Sequence, residues 1–259
     1  MTLSSSEAVV LVGGLGTRLA GELCGLPKPM VEIGDRPFLE HVLLHLREFG
    51  ISTVTLAVSY RREAIEERFG DGKALGISIK YSREAQPLGT AGALRNALPI
   101  VRSEEILVLN GDSFADVDYG ELLRFHGTHG QKLTVAAVYV SDRRDFGRLL
   151  ISDGRVLSFL EKERLDSSPG YINAGIYVFS RQVIQSMQEG IPQSLETGFF
   201  PRLLERGERI DAYCMSGYFV DMGTPGRLRQ LRSDFRQGLV PWRGMGATKV
   251  PAVDRASST

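Results

Sequence analysis

The residues best suited to chemistry stand near the start of the chain, in Leu11-Val12-Gly13-Gly14-Leu15-Gly16-Thr17-Arg18. The apolar run Val9–Val12, ending in glycines, predicts a buried strand that drops into a tight turn. Gly13, Gly14 and Gly16 let backbone N–H groups approach a bulky anion closely, with Leu11 and Thr17 at the turn's edges. Arg18 adds a forked cation, and Lys28, between two stiffening prolines, adds a point cation. This set of donors suits a triphosphate. It is not the G-x-x-x-x-G-K-[ST] loop, which the chain lacks. Nor is it G-x-G-x-x-G, because counting from Gly14 the last position is Leu19.

Two carboxylates extend the pattern. Asp112 follows Ile106-Leu107-Val108-Leu109-Asn110-Gly111, and Asp221 closes Gly217-Tyr218-Phe219-Val220 before Met222-Gly223-Thr224-Pro225. Each is a hard oxygen donor just past an apolar stretch, released by a neighbouring glycine. Together they suit Mg²⁺ held against phosphates, with positions left for water.

The elements that must position these groups alternate in the first half. Strands are expected at Ala8–Val12, Thr53–Val58, Ile77–Tyr81 and Ile106–Leu109, and helices at Phe38–Phe49, Arg62–Phe69 and Thr90–Leu98. This order predicts an α/β fold with a mainly parallel sheet, and ligands outside the C-terminal strand ends. The glycine turn and Asn110-Gly111-Asp112 both fall there. Further strands are expected at Leu133–Val140, Gly147–Ile151, Val156–Glu161, Tyr171–Phe179 and Ile210–Met215. Helices are expected at Gln182–Met187, Leu195–Glu205 and Pro225–Arg236. Residues 1–240 are read as one domain and 241–259, rich in small residues and proline, as a loosely attached tail.

Bulk properties narrow the function. Lys plus Arg and Asp plus Glu are 31 each in 259 residues, which argues against a broad nucleic-acid footprint. No apolar run is long enough to span a membrane and the N-terminus lacks a basic leader, so a cytoplasmic protein is expected. Cys24 and Cys214 are read as reduced thiols, without metal-ligand spacing. His41 and His45 lack a third ligand and are read as ordinary surface or core histidines. His126 and His129 are expected to meet the last carbonyls of a helix. A homo-oligomer is compatible with the sequence.

The pair GGLGTRL and PKPM resembles the signature of the sugar-1-phosphate nucleotidylyltransferases. NGDSF and YFVDMGTP are similar to that family's two metal-carboxylate motifs, and the likeness runs from about Ala8 to Arg236. It implies a Rossmann-like three-layer sandwich. It also implies Mg²⁺-dependent transfer of a nucleotidyl group from a nucleoside triphosphate to a sugar 1-phosphate. Phe159-Leu160-Glu161-Lys162 and Tyr171-Ile172-Asn173-Ala174-Gly175 resemble segments that face the sugar phosphate. That implies a sugar-phosphate set of Asn110, Gly111, Gly147, Glu161, Lys162, Asn173 and Gly175. Arg18 and Lys28 would neutralise charge at the triphosphate, and Asp112 and Asp221 would hold the metal.

Glu84-Ala85-Gln86-Pro87-Leu88-Gly89-Thr90 resembles the family's base-reading turn, so Glu84, Pro87, Gly89 and Thr90 are candidate nucleotide contacts. Thymidylyl and uridylyl members carry glutamine where Glu84 stands. A carboxylate only accepts, which suits the N1–H and N2–H₂ donors of guanine and repels the O4 edge of uracil or thymine. Gln86 offers a competing register. The wording as a whole looks most like the branch that uses GTP and D-glycero-D-manno-heptose 1-phosphate for bacterial surface polysaccharide. The mannose-1-phosphate guanylyltransferases are its close relatives, and a thymidylyl or uridylyl hexose enzyme is a further alternative. A catalytically silent nucleotide-sugar sensor is the other class of reading. Retention of Arg18, Lys28, Asp112, Lys162 and Asp221 argues against it.

Overall fold

Branched apolar runs between glycine-marked turns become strands, and amphipathic stretches become the helices that cover them. The computed structural model describes residues 6–14, 19, 21, 23, 25–128, 130, 132–144, 146–160 and 167–243. In chain order the first half comprises β1 (Glu7–Leu11), β2 (Glu32–Ile33), β3 (Arg36–Pro37), α1 (Phe38–Glu48), β4 (Thr53–Val58), α2 (Arg62–Phe69), β5 (Ser78–Arg83), α3 (Gly89–Ala97), β6 (Glu105–Asn110), β7 (Ser113–Ala115) and α4 (Tyr119–Thr128). There follow β8 (Leu133–Val140), β9 (Arg148–Ser152), β10 (Arg155–Leu160), β11 (Gly170–Ser180), α5 (Arg181–Gln185), α6 (Phe200–Glu205), β12 (Asp211–Met215), β13 (Phe219–Asp221) and α7 (Pro225–Arg236).

The main sheet has nine strands in the order β5-β4-β1-β6-β11-β8-β12-β10-β9. β5, β4, β1 and β6 pair in parallel, with Val9 beside Thr55 on one side and Val108 on the other. The parallel pairing then gives way. β11 runs antiparallel to both β6 and β8, and β10 antiparallel to β9 and β12, while β8 and β12 are parallel. The sheet is therefore parallel on the side that carries the glycine turn and mixed on the other. β11, one long strand inserted between β6 and β8, makes the change.

Alternation along β1 divides the core. Ala8, Val10 and Val12 face α1, α4 and α7, where Phe38, Val42, Leu122 and Leu228 are buried. Val9 faces the opposite layer with Ala91, Leu94, Ile184 and Phe200 of α3, α5 and α6. Two helical layers on one sheet give the three-layer sandwich. β1 lies between β4 and β6, where the strand order reverses, and the crevice at their C-terminal ends is the expected ligand position of such a sheet.

Some local expectations need correction. Leu195–Glu205 is not one helix: Leu195–Phe199 is a five-residue π-helical turn ahead of α6. Pro201 has no N–H to donate to the Thr197 carbonyl, which favours a wider turn here. His126 lies inside α4 and is fully buried, with Nδ1 2.9 Å from Thr134 Oγ1, rather than at the last carbonyls; His129 is outside the described residues. His41 and His45 are core histidines, one of the two places expected for them, fully buried in an aromatic cluster. Val240 and Trp242 are buried too, so packing runs past the boundary expected at residue 240. Cys214 is an exposed free thiol, and Cys24 lies outside the described residues. Among the described residues no helix is long and apolar enough to cross a membrane.

Candidate active site

The site is built where β1 and β6 end. Val12 continues the ladder by donating to the Ala57 carbonyl at 3.0 Å, which aims Gly13 and Gly14 outward from the sheet edge. A cavity of about 370 Å³ opens there, bordered by Leu11, Gly13, Gly14, Lys28, Glu84, Pro87, Gly89, Thr90, Asn110 and Asp112. Gly16, Thr17 and Arg18 lie outside the described residues. Every other residue expected at the nucleotide borders this one cavity.

A second cavity, of about 590 Å³, adjoins the first. Asn110 and Asp112 border both, and Gly147, Asn173, Gly175 and Asp221 border the second alone. The expected nucleotide and sugar-phosphate residues thus separate into neighbouring chambers with Asn110 and Asp112 between them. Gly111 borders neither; its N–H donates to the Leu11 carbonyl at 2.9 Å and ties β6 to β1. Glu161 and Lys162 lie outside the described residues.

Lys28 sits in a single 3₁₀ turn, Lys28–Met30, preceded by Pro27 in extended geometry. That turn carries its ammonium to Asp112, Nζ to Oδ2, at 2.6 Å. Asp112 is joined to the second carboxylate through backbone. β7 and β13 form an antiparallel ribbon with Ser113 opposite Asp221, and Met222 N–H donates to the Asp112 carbonyl at 2.9 Å. The Asp221 carboxylate accepts from the Gly223 N–H and from Arg227 Nη1, the latter at 3.1 Å. Arg227 in turn lies 3.9 Å from the centre of the Phe146 ring. Thr224 caps α7 and Pro225 occupies its first turn, which explains why the chain turns into a helix here.

This donor set fits a hard divalent ion: two carboxylates on one ribbon, facing the same chamber. A carboxylate offers about four acceptor sites, so a single cation beside each does not exhaust it.

Glu84 follows β5, is buried, and donates its own N–H to the Val58 carbonyl at 3.1 Å. Its Oε2 accepts the Leu88 N–H at 2.9 Å, closing the turn that leads into α3. Its Oε1 lies beside Gly13: a Cβ built on that glycine would be 3.1 Å from it and equally 3.1 Å from Ser59 Cβ. Burial pushes the Glu84 carboxyl above its ordinary pKa, against the pull of the Leu88 N–H. Gln86, the residue of the competing register, is exposed and borders neither cavity.

Glu196 was not among the residues expected from sequence. On the π-helical turn it borders the second cavity, accepting from Tyr177 Oη at 3.0 Å and from Ser194 Oγ at 3.1 Å. Thr90 Oγ1, at the first cavity, lies 3.3 Å from the same carboxylate. Asn173 Nδ2 donates to Tyr177 Oη at 2.9 Å, so one network joins both chambers. Burial first, and then the Glu196 charge, hold the Tyr177 hydroxyl well above its usual pKa. A sequence reading sees Ser-Leu-Glu-Thr-Gly as a polar turn; only the irregular helix turns Glu196 inward. Arg148, buried on β9, also borders this chamber, and Arg227 reaches it only through its bond to Asp221; sequence reasoning singled out neither.

A parallel half-sheet with its glycine turn and Asp112 at one cavity, and Asp221 at the adjoining one, is an α/β fold built to take a ligand at the strand ends. Residues 7–238 match the nucleotidyl transferase family, and the chain belongs to it. It is 40% identical over 243 residues to a mannose-1-phosphate guanylyltransferase of Mycobacterium tuberculosis, covering 93% of this chain and 67% of that one. It is 38% identical over 224 residues to the D-glycero-alpha-D-manno-heptose 1-phosphate guanylyltransferase of Campylobacter jejuni, covering 85% and 95%. Among solved structures, HddC from Yersinia pseudotuberculosis complexed with GMP-PN superposes with a TM-score of 0.79 at 30% identity, covering 88% of this chain and 99% of that one.

Proposed function

We propose that the protein transfers a guanylyl group from GTP to D-glycero-α-D-manno-heptose 1-phosphate, giving GDP-heptose and pyrophosphate. The observation that carries this reading is the position of Glu84, a buried carboxylate at the wall of the Gly13-Gly14 cavity. One of its oxygens is committed to the turn and the other lies beside Gly13. A carboxylate, which only accepts, suits the N–H donors of guanine and repels the O4-bearing bases. Guanylyltransferase relatives at 38% and 40% identity support it.

In the reaction a phosphate oxygen of the sugar 1-phosphate attacks the α-phosphorus of GTP, the α–β bridge breaks, and pyrophosphate leaves. The attacking group is already ionised, so catalysis is positioning and charge neutralisation rather than proton abstraction. Gly13, Gly14, Gly16 and Thr17 would cradle the triphosphate, with Leu11, Pro87, Gly89 and Thr90 around the nucleoside. Arg18 and Lys28 would neutralise the phosphates. Lys162 would hold the sugar phosphate, with Asn110, Gly147, Glu161, Asn173 and Gly175 around the sugar. Asp112 and Asp221 would hold Mg²⁺, which when bound neutralises phosphate charge and orients the two substrates. The product would feed bacterial surface polysaccharide, and the cytoplasm, where GTP is held, is the compartment this reading implies.

A second reading, mannose 1-phosphate as acceptor, is favoured by the identity to the M. tuberculosis relative. The experiment is a matrix of GTP, dTTP, UTP and CTP against heptose, mannose and glucose 1-phosphates with Mg²⁺, scored by pyrophosphate release. Turnover with GTP and the heptose is the expected result. Turnover with GTP and mannose alone would move the second reading to the front, and preference for dTTP or UTP would overturn the base assignment. Silence throughout would favour a nucleotide-sugar sensor.

A further inference from the structure

Trp242 is the chain's one tryptophan and lies beyond the family-matched span, which ends at residue 238. It is nonetheless 7% exposed. Its ring stacks on His41, with centroids 4.1 Å apart and planes within 4°. It meets the edges of Phe38 at 5.8 Å and Phe114 at 5.5 Å, and packs on Phe235 at 5.9 Å. The next residue fastens the segment: Arg243 N–H donates to His45 Nδ1 at 3.1 Å, and its guanidinium lies 4.7 Å from the Phe49 ring centre.

The elements these rings belong to are informative. Phe38, His41, His45 lie on α1, with Phe49 at its C-terminal end. Phe114 is in β7, two residues after Asp112, and Phe235 is on α7, the helix that opens shortly after Asp221. β7 and β13 pair only with one another, as a ribbon of three residues a side. A ribbon that short has no stability of its own and takes its position from what it packs against. One indole therefore packs on the element following each carboxylate, adding to the direct packing of α1 on both through His45 on Phe114 and His41 on Phe235.

We infer that Trp242 is a positioning residue: it fixes the β7–β13 ribbon against α1 and so sets the placement of Asp112 and Asp221. The inference rests on the reading of those two carboxylates as the metal-holding pair. An aromatic ring suits the task because it fills a wide slot with few rotatable bonds. A displacement of about 1 Å at reacting groups costs roughly 100-fold in rate, so a brace remote from substrate can govern turnover.

The test compares Trp242→Ala, Trp242→Leu and Trp242→Phe in the full chain. Each is read by far-UV dichroism, by kcat and KM for GTP, and by Mn²⁺ binding in the presence of GTP followed by paramagnetic resonance. For Trp242→Ala we expect native dichroism, KM for GTP within about threefold, kcat down by about tenfold or more, and weaker Mn²⁺ binding. Trp242→Phe should restore both kcat and Mn²⁺ binding. If the alanine variant does not fold, Trp242→Leu, which keeps apolar bulk without a ring, is read against Trp242→Phe in the same way. Wild-type kcat and Mn²⁺ affinity in a folded ring-less variant would overturn the inference, as would a phenylalanine variant as damaged as the alanine one. A wild-type chain silent with every nucleotide would instead overturn the guanylyl reading, and the Mn²⁺ measurement would still report on the brace.

Discussion

At the scale of single residues, Glu84 concentrates two tasks in one carboxylate. Oε2 closes the turn into α3 through the Leu88 N–H, while Oε1 faces Gly13. Glu84→Gln keeps an oxygen for Leu88 but turns an acceptor toward the base into a donor. The variant should fold normally and lose roughly 100-fold in kcat/KM for GTP, the scale of about 3 kcal/mol for a mismatched buried polar pair, while gaining activity with UTP or dTTP. Steady-state kinetics with each nucleotide decide it, and unchanged GTP preference would refute the base assignment. The direction of the pKa shift adds a pH signature. Burial holds the Glu84 carboxyl above its ordinary value, so acidification protonates it sooner than an exposed glutamate. The wild type should lose GTP preference at mildly acid pH, and Glu84→Gln should not. Glu196 has a different signature. Its carboxylate accepts from Tyr177 and Ser194 beside the second chamber and from Thr90 beside the first. Glu196→Gln should raise KM for the sugar phosphate by about tenfold, with KM for GTP changed far less. An equal effect on both substrates would argue for loss of the network as a whole.

At the scale of elements, β11 shows how backbone geometry makes a wall. Its register against β8 slips between Asn173 and Tyr177, and Gly175 in that bulge has φ +72°. A Cβ there would lie 2.7 Å from Asn110 Nδ2 and 3.0 Å from Ser113 Oγ, both beside Asp112. Gly175→Ala should therefore cost about 1–2 kcal/mol for the left-handed backbone, before any clash, and should lower activity by displacing Asn110. Chemical denaturation and turnover measured together check this; a variant of native stability and activity would show that the bulge yields freely. The sequence was readable wherever periodicity was strong: Thr53–Val58, Leu133–Val140, Arg62–Phe69 and Pro225–Arg236 form with the expected bounds. Glycine turns and strand-end carboxylates were readable because their chemistry is local. The ribbon of β7 and β13 was not, since three-residue strands carry no period and are defined by a partner about a hundred residues away. The antiparallel insertion of β11 was hidden for the same reason, and Glu196 because a π-helical turn has no polar signature. Trp242 looked like part of a tail because, Phe235 apart, its ring contacts are with elements more than a hundred residues away.

At the scale of the whole molecule, the helical layer of α1 and α4 is built around histidines held neutral. His41 Nε2 lies 2.8 Å from the Ile33 carbonyl, which can only accept, so that nitrogen carries the proton. His45 Nδ1 accepts from Arg243 N–H, which puts its proton on Nε2. Burial lowers the pKa of all three: His41 below 6.5, with Arg36 adding to the effect, and His45 and His126 to about 4. For His45 the neighbouring Arg243 lowers it further while Glu48 opposes; for His126 Asp211 opposes. In the unfolded chain these groups protonate near pH 6.5, while in the folded one His45 and His126 stay neutral down to about pH 4 and His41 to below its ordinary value. The unfolded state therefore binds more protons in that window, and stability falls as pH drops from about 6.5 toward 4. Each histidine contributes at most about 1.4 kcal/mol per pH unit to that slope. Urea midpoints measured between pH 7.5 and 4.5 should fall steeply below pH 6.5. A His126→Gln variant, which cannot take up that proton, should show a shallower slope even if less stable at neutral pH. A flat profile in the wild type would mean that the histidines titrate alike folded and unfolded. Because His41 and His45 also seat Trp242 and Arg243, the same acidification should loosen the brace on the carboxylate ribbon before the sheet itself opens. Turnover assayed at falling pH should then decline ahead of the unfolding transition, and coincident losses would show that brace and core fail as one unit.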